Sequence, residues 1–543
     1  VTVKVAGGKE WIRAPRGNNE SVFAPDRREI PALIELNRQR LSHAGVAGWI
    51  GEVRREARAE VLRAATGYLA GYAEPYFASF PTLSCNKPWI VGGHQPEFFH
   101  PGVWFKNFLL DAVAQETGGL GLHAIVDHDT ARATSIKVPS MDLNLRRIHG
   151  RLIPLPIARP SSAPLPWNAL RLDVPAIATT LREIESSLRS VGIEQSMAGH
   201  FFGDLAAMSP EVDVATAFSR ARHAMELRHG LRNLEVPVSH IGSTHAWHAF
   251  VQHCIVNAES LHAIYNQSLH EYREREQIHN PAQPVPRLGQ REGWIELPFW
   301  LQLPDDATRH RLWVKRSSGD WIAAPSPDAM ETPCKALPLI GTSGAASLRD
   351  ALFREGIHIA PRALMTTLFL RTFVADVFVH GIGGGLYDRL TDMLMERFLG
   401  LEPPAYVTCT ATLWLNMAPS HGESLDAWGM GYQQLRREGQ LLRSWPEASL
   451  DPSDEAAIAL LEQHRAMLAR IPPRGQKKGW HEQMVRLKAQ IAQAIAPVRR
   501  RWEMRMASYE AQAAEWKAIQ SREYPFLLFP ESEVMARLQE LAA

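Results

Sequence analysis

Pro88-Trp-Ile-Val-Gly-Gly-His-Gln-Pro-Glu97 and Leu122-His-Ala-Ile-Val-Asp-His-Asp129 are the two stretches that decide the fold. Each is a short apolar run that ends in polar residues, the pattern of a buried strand leading into a loop. Between them, Val103 to Gln115 has helical spacing and is closed by Gly118-Gly119. Strand, loop, helix, strand, loop is a βαβ unit, which predicts an α/β class with a parallel sheet. Open parallel sheets bind ligands beyond the carboxyl ends of their strands. Both polar clusters stand at such ends.

Upstream, Pro31 to Leu41 and Val46 to Glu74 are rich in Ala, Leu, Arg and Glu at helical spacing, and Pro75 is a natural stop. Downstream, Leu181 to Leu231 reads as largely helical, Leu234 to Gly242 as another parallel strand, and Ala246 to Glu274 as a helix. A small β meander is expected over Ile295–Leu303, Arg311–Lys315 and Trp321–Ala323, with turns at Pro304-Asp-Asp and Ser317-Ser-Gly-Asp. The core resumes near Pro361. Phe373 to Val379 is a strongly apolar strand candidate running into His380-Gly-Ile-Gly-Gly-Gly385. A helix from Leu386 to Phe398 and a strand over Pro404–Thr410 follow. Near the end, Met484, Leu487, Ile491, Ile495, Val498, Trp502, Met506 and Tyr509 recur at spacings of three and four, a coiled-coil-like seam. Asp454 to Ile471 is the expected antiparallel partner, stopped by Pro472-Pro473. The expected organisation is an N-terminal helical segment over 1–80, a core over 81–430 with insertions over about 140–345, and a helical region over 431–543.

Composition narrows the function classes. Lys+Arg 59 against Asp+Glu 58 leaves no excess of positive charge for a broad nucleic-acid surface. Cys85, Cys254, Cys334 and Cys409 are far apart and form no C-x-x-C pair, so neither a disulfide framework nor a cysteine zinc site is expected. The longest apolar run, Ala363 to Val379, is broken by Arg371 and Asp376, and the first residues lack the apolar stretch of a secretory signal. A cytoplasmic protein without membrane partners is the expectation.

Three clusters carry candidate chemistry. Gly92-Gly93-His94-Gln95, with His100 beyond, combines glycines that let a ligand approach the backbone with imidazoles that donate to oxygens or move protons. Asp127-His128-Asp129 offers two carboxylates flanking an imidazole, suited to orienting an amine. In an extended strand the two aspartates would share one face and His128 the other, so no metal site is expected unless a turn intervenes. Gly381-Ile-Gly383-Gly384-Gly385, followed by Tyr387, is a glycine loop opening a helix, a cradle for phosphate or carboxylate. It is neither the dinucleotide fingerprint nor a Walker loop. Each cluster also has a plain structural reading, as a strand-to-helix turn or a capped helix start. His245 and His248 share a helix face and read as structural rather than as a metal pair.

These clusters, in this order, resemble the cysteine-adding ligase family of bacillithiol biosynthesis (BshC). That family carries Gly-Gly-Gln-Gln where this chain has Gly92-Gly93-His94-Gln95, and Glu-Asp-His-Asp where it has Val126-Asp127-His128-Asp129. Its third motif, Arg-Pro-Leu-Met running into Phe-Ile-Ala-Gly-Pro-Gly-Glu-Ile-x-Tyr, matches Arg362-Ala-Leu-Met365 and Phe378-Val-His-Gly381-Ile-Gly383-Gly384-Gly385-Leu-Tyr387. Glu523-Tyr-Pro-Phe-Leu-Leu-Phe529 is similar to its closing aromatic segment. By motif the likeness covers about thirty residues; by architecture it covers most of the chain.

The resemblance implies a Rossmann-like parallel core with inserted connecting segments and a C-terminal α-helical coiled-coil hairpin that supports a homodimer. It also implies joining of a cysteine carboxylate, or a similar one, to the amine of an amino-sugar conjugate. Asp127, His128, Asp129 and His94 would be catalytic. Gly92, Gly93, Gln95, His100, Arg362, Gly381, Gly383, Gly384 and Tyr387 would bind substrate or nucleotide, with Arg362 meeting an acidic group. ATP or ADP with Mg²⁺ is the candidate cofactor set. His94, Val126 and Gly384 depart from the family's pattern and point to a changed substrate or a lost activity. His94-Gln95-Pro96 also resembles the opening run of the WbqC-like proteins. A nucleotidyl or sugar-related transferase on the same fold, or a binding scaffold with a decayed site, are the alternatives.

Overall fold

The computed structural model describes residues 12–42, 48–142, 144, 147–158, 164–304, 306–317, 320–328, 337–339, 345–362, 364–420, 422 and 424–543. Cys334, Ala363, the middle of the Pro304-Asp-Asp turn and that of the Ser317–Asp320 turn lie outside them. The centre is a six-stranded mixed sheet. Its strands in chain order are β1 (Glu20–Ala24), β2 (Trp89–His94), β3 (Leu120–Ile125), β4 (Leu234–Pro237), β5 (Val377–His380) and β6 (Val407–Thr412). In space they run β1-β6-β5-β2-β3-β4. All neighbours are parallel except β1, which pairs antiparallel with β6.

Alternation assigns the two faces. Ile90, Val377 and Val379 join one apolar core, while Trp89, Val91, Leu122, Ala124 and Phe378 join the other. A period of two is what a strand imposes, and a sheet covered on both sides reads as continuously apolar. Helix α3 (Pro101–Thr117) covers the first face. It starts at an N-cap whose His100 Nδ1 accepts from the Gly102 amide at 3.1 Å, has Pro101 at its first position, and ends at left-handed Gly118. Helix α2 (Trp49–Ala70) covers the other face, and α1 (Ile30–Ser42) packs on the first.

These N-terminal helices lock the strand entries. Arg54 and Arg58 of α2 reach Asp376, just before β5, at 2.7 and 3.1 Å. Asp376 in turn accepts from the Trp89 amide at 2.8 Å. Asn37 of α1 donates to the Asp376 and Ala405 carbonyls. Among the described residues before Phe80, β1, α1 and α2 therefore belong to the core sheet.

Four expectations need correcting. Phe373 is not in a strand: Leu364–Phe369 is helical, Leu370–Val374 is a π-helical turn, and β5 begins only at Val377. A short buried apolar run does not distinguish helix from strand. The glycines after β5 are not a loop but the first turn of a helix, α4 (Ile382–Leu394). The segment before Ala324 contains an unexpected hairpin, Ser135–Asp142 with Arg147–Pro154. The meander is larger than expected, an antiparallel sheet ordered Leu337–Leu339, Asp320–Ala324, His310–Ser317, Trp294–Gln302 and His358–Pro361.

Toward the C-terminus, Glu455–Ala469 packs on Lys478–Ala494, and Leu425–Ser444 on Ala496–Ile519. Met484, Leu487 and Ile491 are buried, and Leu487 and Ile491 pack in a small core with Leu442, Leu450, Ala457 and Ile495. Trp502 Nε1 donates to the Leu435 carbonyl at 2.8 Å. Cys85, Cys254 and Cys409 are free thiols. Among the described residues no helix is long and apolar enough to cross a membrane.

Candidate functional site

The register aligns the strand ends. Gly92 lies opposite both Val379 and His123, His94 opposite Ile125, and Ile125 opposite Pro237. The segments that follow β2, β3, β4 and β5 thus leave the sheet along one rim. The chain order reverses between β2 and β5, which makes their junction the switch point of the sheet.

After β3 the chain turns, because the strand stops at Ile125. The expected alternation fails there, and the Asp127 and His128 side chains approach to 3.8 Å. Asp127 is buried. Its carboxylate accepts from the Ser239 amide at 3.0 Å, from the Ser239 hydroxyl, and from Asn168 at 3.4 Å. Burial works to raise this carboxyl, but the His128 imidazole and the Ser239 donors outweigh it and hold it below the usual carboxylate range. His128 is buried too. Its Nε2 donates to the Pro361 carbonyl at 3.0 Å, and its Nδ1 has no hydrogen-bond partner.

Asp129 is more open, with a third of its side chain exposed. It accepts from Gln95, from the Thr130 amide at 2.8 Å and from Arg309 at 2.8 Å. Arg309 also donates to the His128 carbonyl at 3.1 Å and to the Thr130 hydroxyl. Its guanidinium lies 4.6 Å from the Trp300 ring, and that of Arg362 lies 4.8 Å from the same ring. The acidic group that Arg362 meets is the protein's own Glu296, at 2.7 Å. The antiparallel sheet is therefore pinned to the rim through Arg309 and through Pro361.

On the β2 and β5 side the groups are imidazoles, one ammonium and backbone. Burial, helped by Lys106, drives the His94 imidazole well below its ordinary value, so it is neutral at physiological pH. Its Nδ1 lies 3.0 Å from the Gln95 carbonyl. His100 acts as the cap of α3, and burial with Arg522 pushes it down to about 3. Lys106 is 4% exposed and donates to the Gly93 carbonyl at 2.8 Å. Burial lowers its ammonium to about 8. Gly93 is needed for strand contact, since a Cβ there would sit 2.7 Å from the Ala124 carbonyl.

Helix α4 begins at Gly381 with no side-chain cap. A Cβ on Gly381 or Gly383 would meet nothing, whereas one on Gly385 would strike the Thr408 hydroxyl. The Tyr406 hydroxyl donates to the Gly385 carbonyl at 2.7 Å. Tyr387 stands on the exposed side, 38% accessible. This first turn offers unpaired amides at the positive end of a helix, which suits an anion.

A scan of known family models finds no match to this chain, and neither does a search of curated proteins.

The predicted residues fall into two groups: Gln95 with Asp127, His128 and Asp129, and Gly92, Gly93 and His94 at the end of β2, next to β5. Arg362 joins the first group through Trp300 and through its neighbour Pro361. Ser239, Asn168, Trp300, Arg309, Lys106 and His380 were not singled out. Ser239 follows an apolar run just as Asp127 does, so the strand-end rule applied to β4 would have found it. Arg309 and Trp300 carry no local signal, because a meander looks like decoration until it folds onto the rim. Among the described residues the one group of three His, Cys, Asp or Glu with ligand atoms within 4.8 Å is His223, Glu226 and Glu235, away from these clusters. There Arg222 already bridges both glutamates. His245 pairs with Glu56, and His248 bonds the Thr244 carbonyl.

Proposed function

We propose that the chain is a BshC-like ligase that joins cysteine, or a similar small carboxylate, to the amine of an amino-sugar conjugate, with a nucleoside triphosphate as the source of activation. The observation that carries this reading is that an uncapped glycine helix start after β5 and a polar cluster built around Asp129 after β3 leave the sheet along the same rim, on either side of β2. One accommodates anionic oxygens and the other a cationic amine. A triphosphate fits the glycine turn on one feature, the open space at Gly381 and Gly383.

On this reading the sheet is Rossmann-like and Asp129, held by Gln95 and Arg309, contacts the amine. Asp127 and His128 set the shape of the turn that presents it. His94 and Lys106 lie behind the carboxylate or phosphate. The C-terminal helices form a coiled-coil hairpin that pairs two copies, and the protein works in the cytoplasm.

Mass analysis of the products formed from cysteine, glucosaminyl-malate and Mg·ATP tests the assignment. An amide product, absent with Asp129→Ala, is expected. A nucleotidylated or glycosylated product would assign the site to a transferase instead, and unchanged turnover in Asp129→Ala would remove Asp129 from the chemistry.

A further inference from the structure

One imidazole at the rim is oriented without being fully engaged. His380, the last residue of β5, is 5% exposed. Its Nε2 lies 2.8 Å from Asp388 Oδ2, one carboxylate oxygen that Arg371 also grips at 2.5 Å. Arg371 is in turn held by Asp392 at 2.7 Å and stacks 4.8 Å from the Tyr406 ring. Burial acts to raise the Asp388 carboxyl, but Arg371 and His380 outweigh it and hold the group well below the usual range. An ionised Asp388 only accepts, so Nε2 carries the proton and Nδ1 of the neutral ring carries the lone pair. Nδ1 makes no hydrogen bond among the described residues.

That lone pair faces the first turn of α4. A Cβ built on Gly384 would lie 2.8 Å from Nδ1, so a side chain at 384 would collide with the ring. The same turn has no side-chain cap and has open space at Gly381 and Gly383. The acceptor of this ring and the uncapped backbone donors thus belong to one helix turn. An anion would fill the donors, and a group losing a proton would meet the acceptor.

We infer that His380, oriented by Asp388, is the general base of this site. The inference rests on the ligase reading above. As the amine nitrogen bonds to the carbon of the phosphate-activated carboxyl, the carbon–oxygen bond to phosphate breaks and phosphate leaves with the electron pair. The proton lost by nitrogen passes to Nδ1 and then to water. The charged groups around the ring are Asp388 and Asp392 on α4 and Arg371 from the turn before β5, with Tyr406 from the approach to β6.

The test uses the full-length protein and two readouts. In the ligase assay, His380→Gln should lower kcat about 10²- to 10⁴-fold, with little change in KM for Mg·ATP and loss of the acidic limb of the pH–rate profile. Wild-type kcat and an intact limb in that variant would overturn the inference. Asp388→Asn should lower kcat as well, but it leaves Arg371 short of a partner, so His380→Gln, which preserves that pair, is the deciding variant. The second readout is independent of the ligase assignment. Imidazole nitrogen NMR of histidine-labelled protein should show His380 as the Nε2–H form, and its Nδ1 resonance should move on adding Mg·ATP or pyrophosphate. If no product forms with wild type yet Nδ1 responds, the ligase reading fails and the base survives. An Nδ1 that responds to neither ligand overturns the inference itself.

Discussion

Two histidines stand beside aspartates at the ends of the two strands that flank β2, and they are built for different tasks. After β3, Asp127 gives its oxygens to Ser239 and Asn168, and His128 ties the turn to Pro361. That pair fastens β3, β4 and the antiparallel sheet to one another. After β5, Asp388 is fastened from behind by Arg371, and His380 is left with a free nitrogen facing a turn of glycines. The same residue types serve as a clamp in one place and as a poised base in the other. What separates them is where the unpaired nitrogen points: Nδ1 of His128 is enclosed 3.8 Å from Asp127, whereas Nδ1 of His380 faces the glycine turn.

The largest effect should come from breaking the support of the second pair. Arg371→Met leaves Asp388 and Asp392 without their buried counter-charge and should cost about 3–5 kcal/mol in urea unfolding. A loss under 1 kcal/mol would mean that Asp388 is not held as described. Next, Asp127→Ala strands the Ser239 donors and should cost about 2–3 kcal/mol. His380→Gln should stay within about 1 kcal/mol on the same scale. Equal losses would erase the contrast between clamp and base. Because the Asp127 carboxyl is depressed in the fold, its stabilisation is present above the unfolded value near pH 4 and is lost as pH falls through the folded value. The difference between wild type and Asp127→Asn should therefore shrink in acid.

Lys106 should give a pH-dependent signature of the same sense in the alkaline range. Its ammonium is lowered to about 8 from 10.5, so between those values the unfolded chain holds a proton that the fold does not. Stability relative to Lys106→Met should rise with pH across that window, by up to about 3 kcal/mol. A flat difference would place the ammonium in water. The smallest effect separates two adjacent glycines. Gly383→Ala meets open space and should be neutral or stabilising by up to about 1 kcal/mol from helix propensity. Gly384→Ala should lose that gain, because its methyl meets His380. Like outcomes would show that the ring does not face the turn.

The βαβ unit was legible because two apolar runs, a helical stretch and a glycine stop agree locally. β3 and β4 were found on the same grounds, although β4 stops at Pro237 and Val238–Ile241, expected to continue the strand, is helical; so was the position of Asp127 and Asp129 just beyond a strand end. The edge strand Glu20–Ala24 was not legible: five residues of mixed polarity become a strand only because β6 offers them an edge. The π-turn at Leu370–Val374 hid inside an apolar run whose two conformations bury the same side chains. His380 was read past as the start of a glycine loop, because its partner Asp388 stands eight residues on and comes into reach only when those glycines are helical. Arg309 belongs to the site through long-range folding that no local pattern encodes.

The most direct test of the rim as a ligand site is thermal unfolding of wild type and Gly383→Glu with Mg·ATP, cysteine and glucosaminyl-malate, singly and in pairs. A ligand at about a hundred times its dissociation constant adds about 2.7 kcal/mol. The account predicts such a gain for wild type and its loss in Gly383→Glu, where a charged side chain fills the open turn. An undiminished gain in the variant, or no gain with any ligand in wild type, would contradict it.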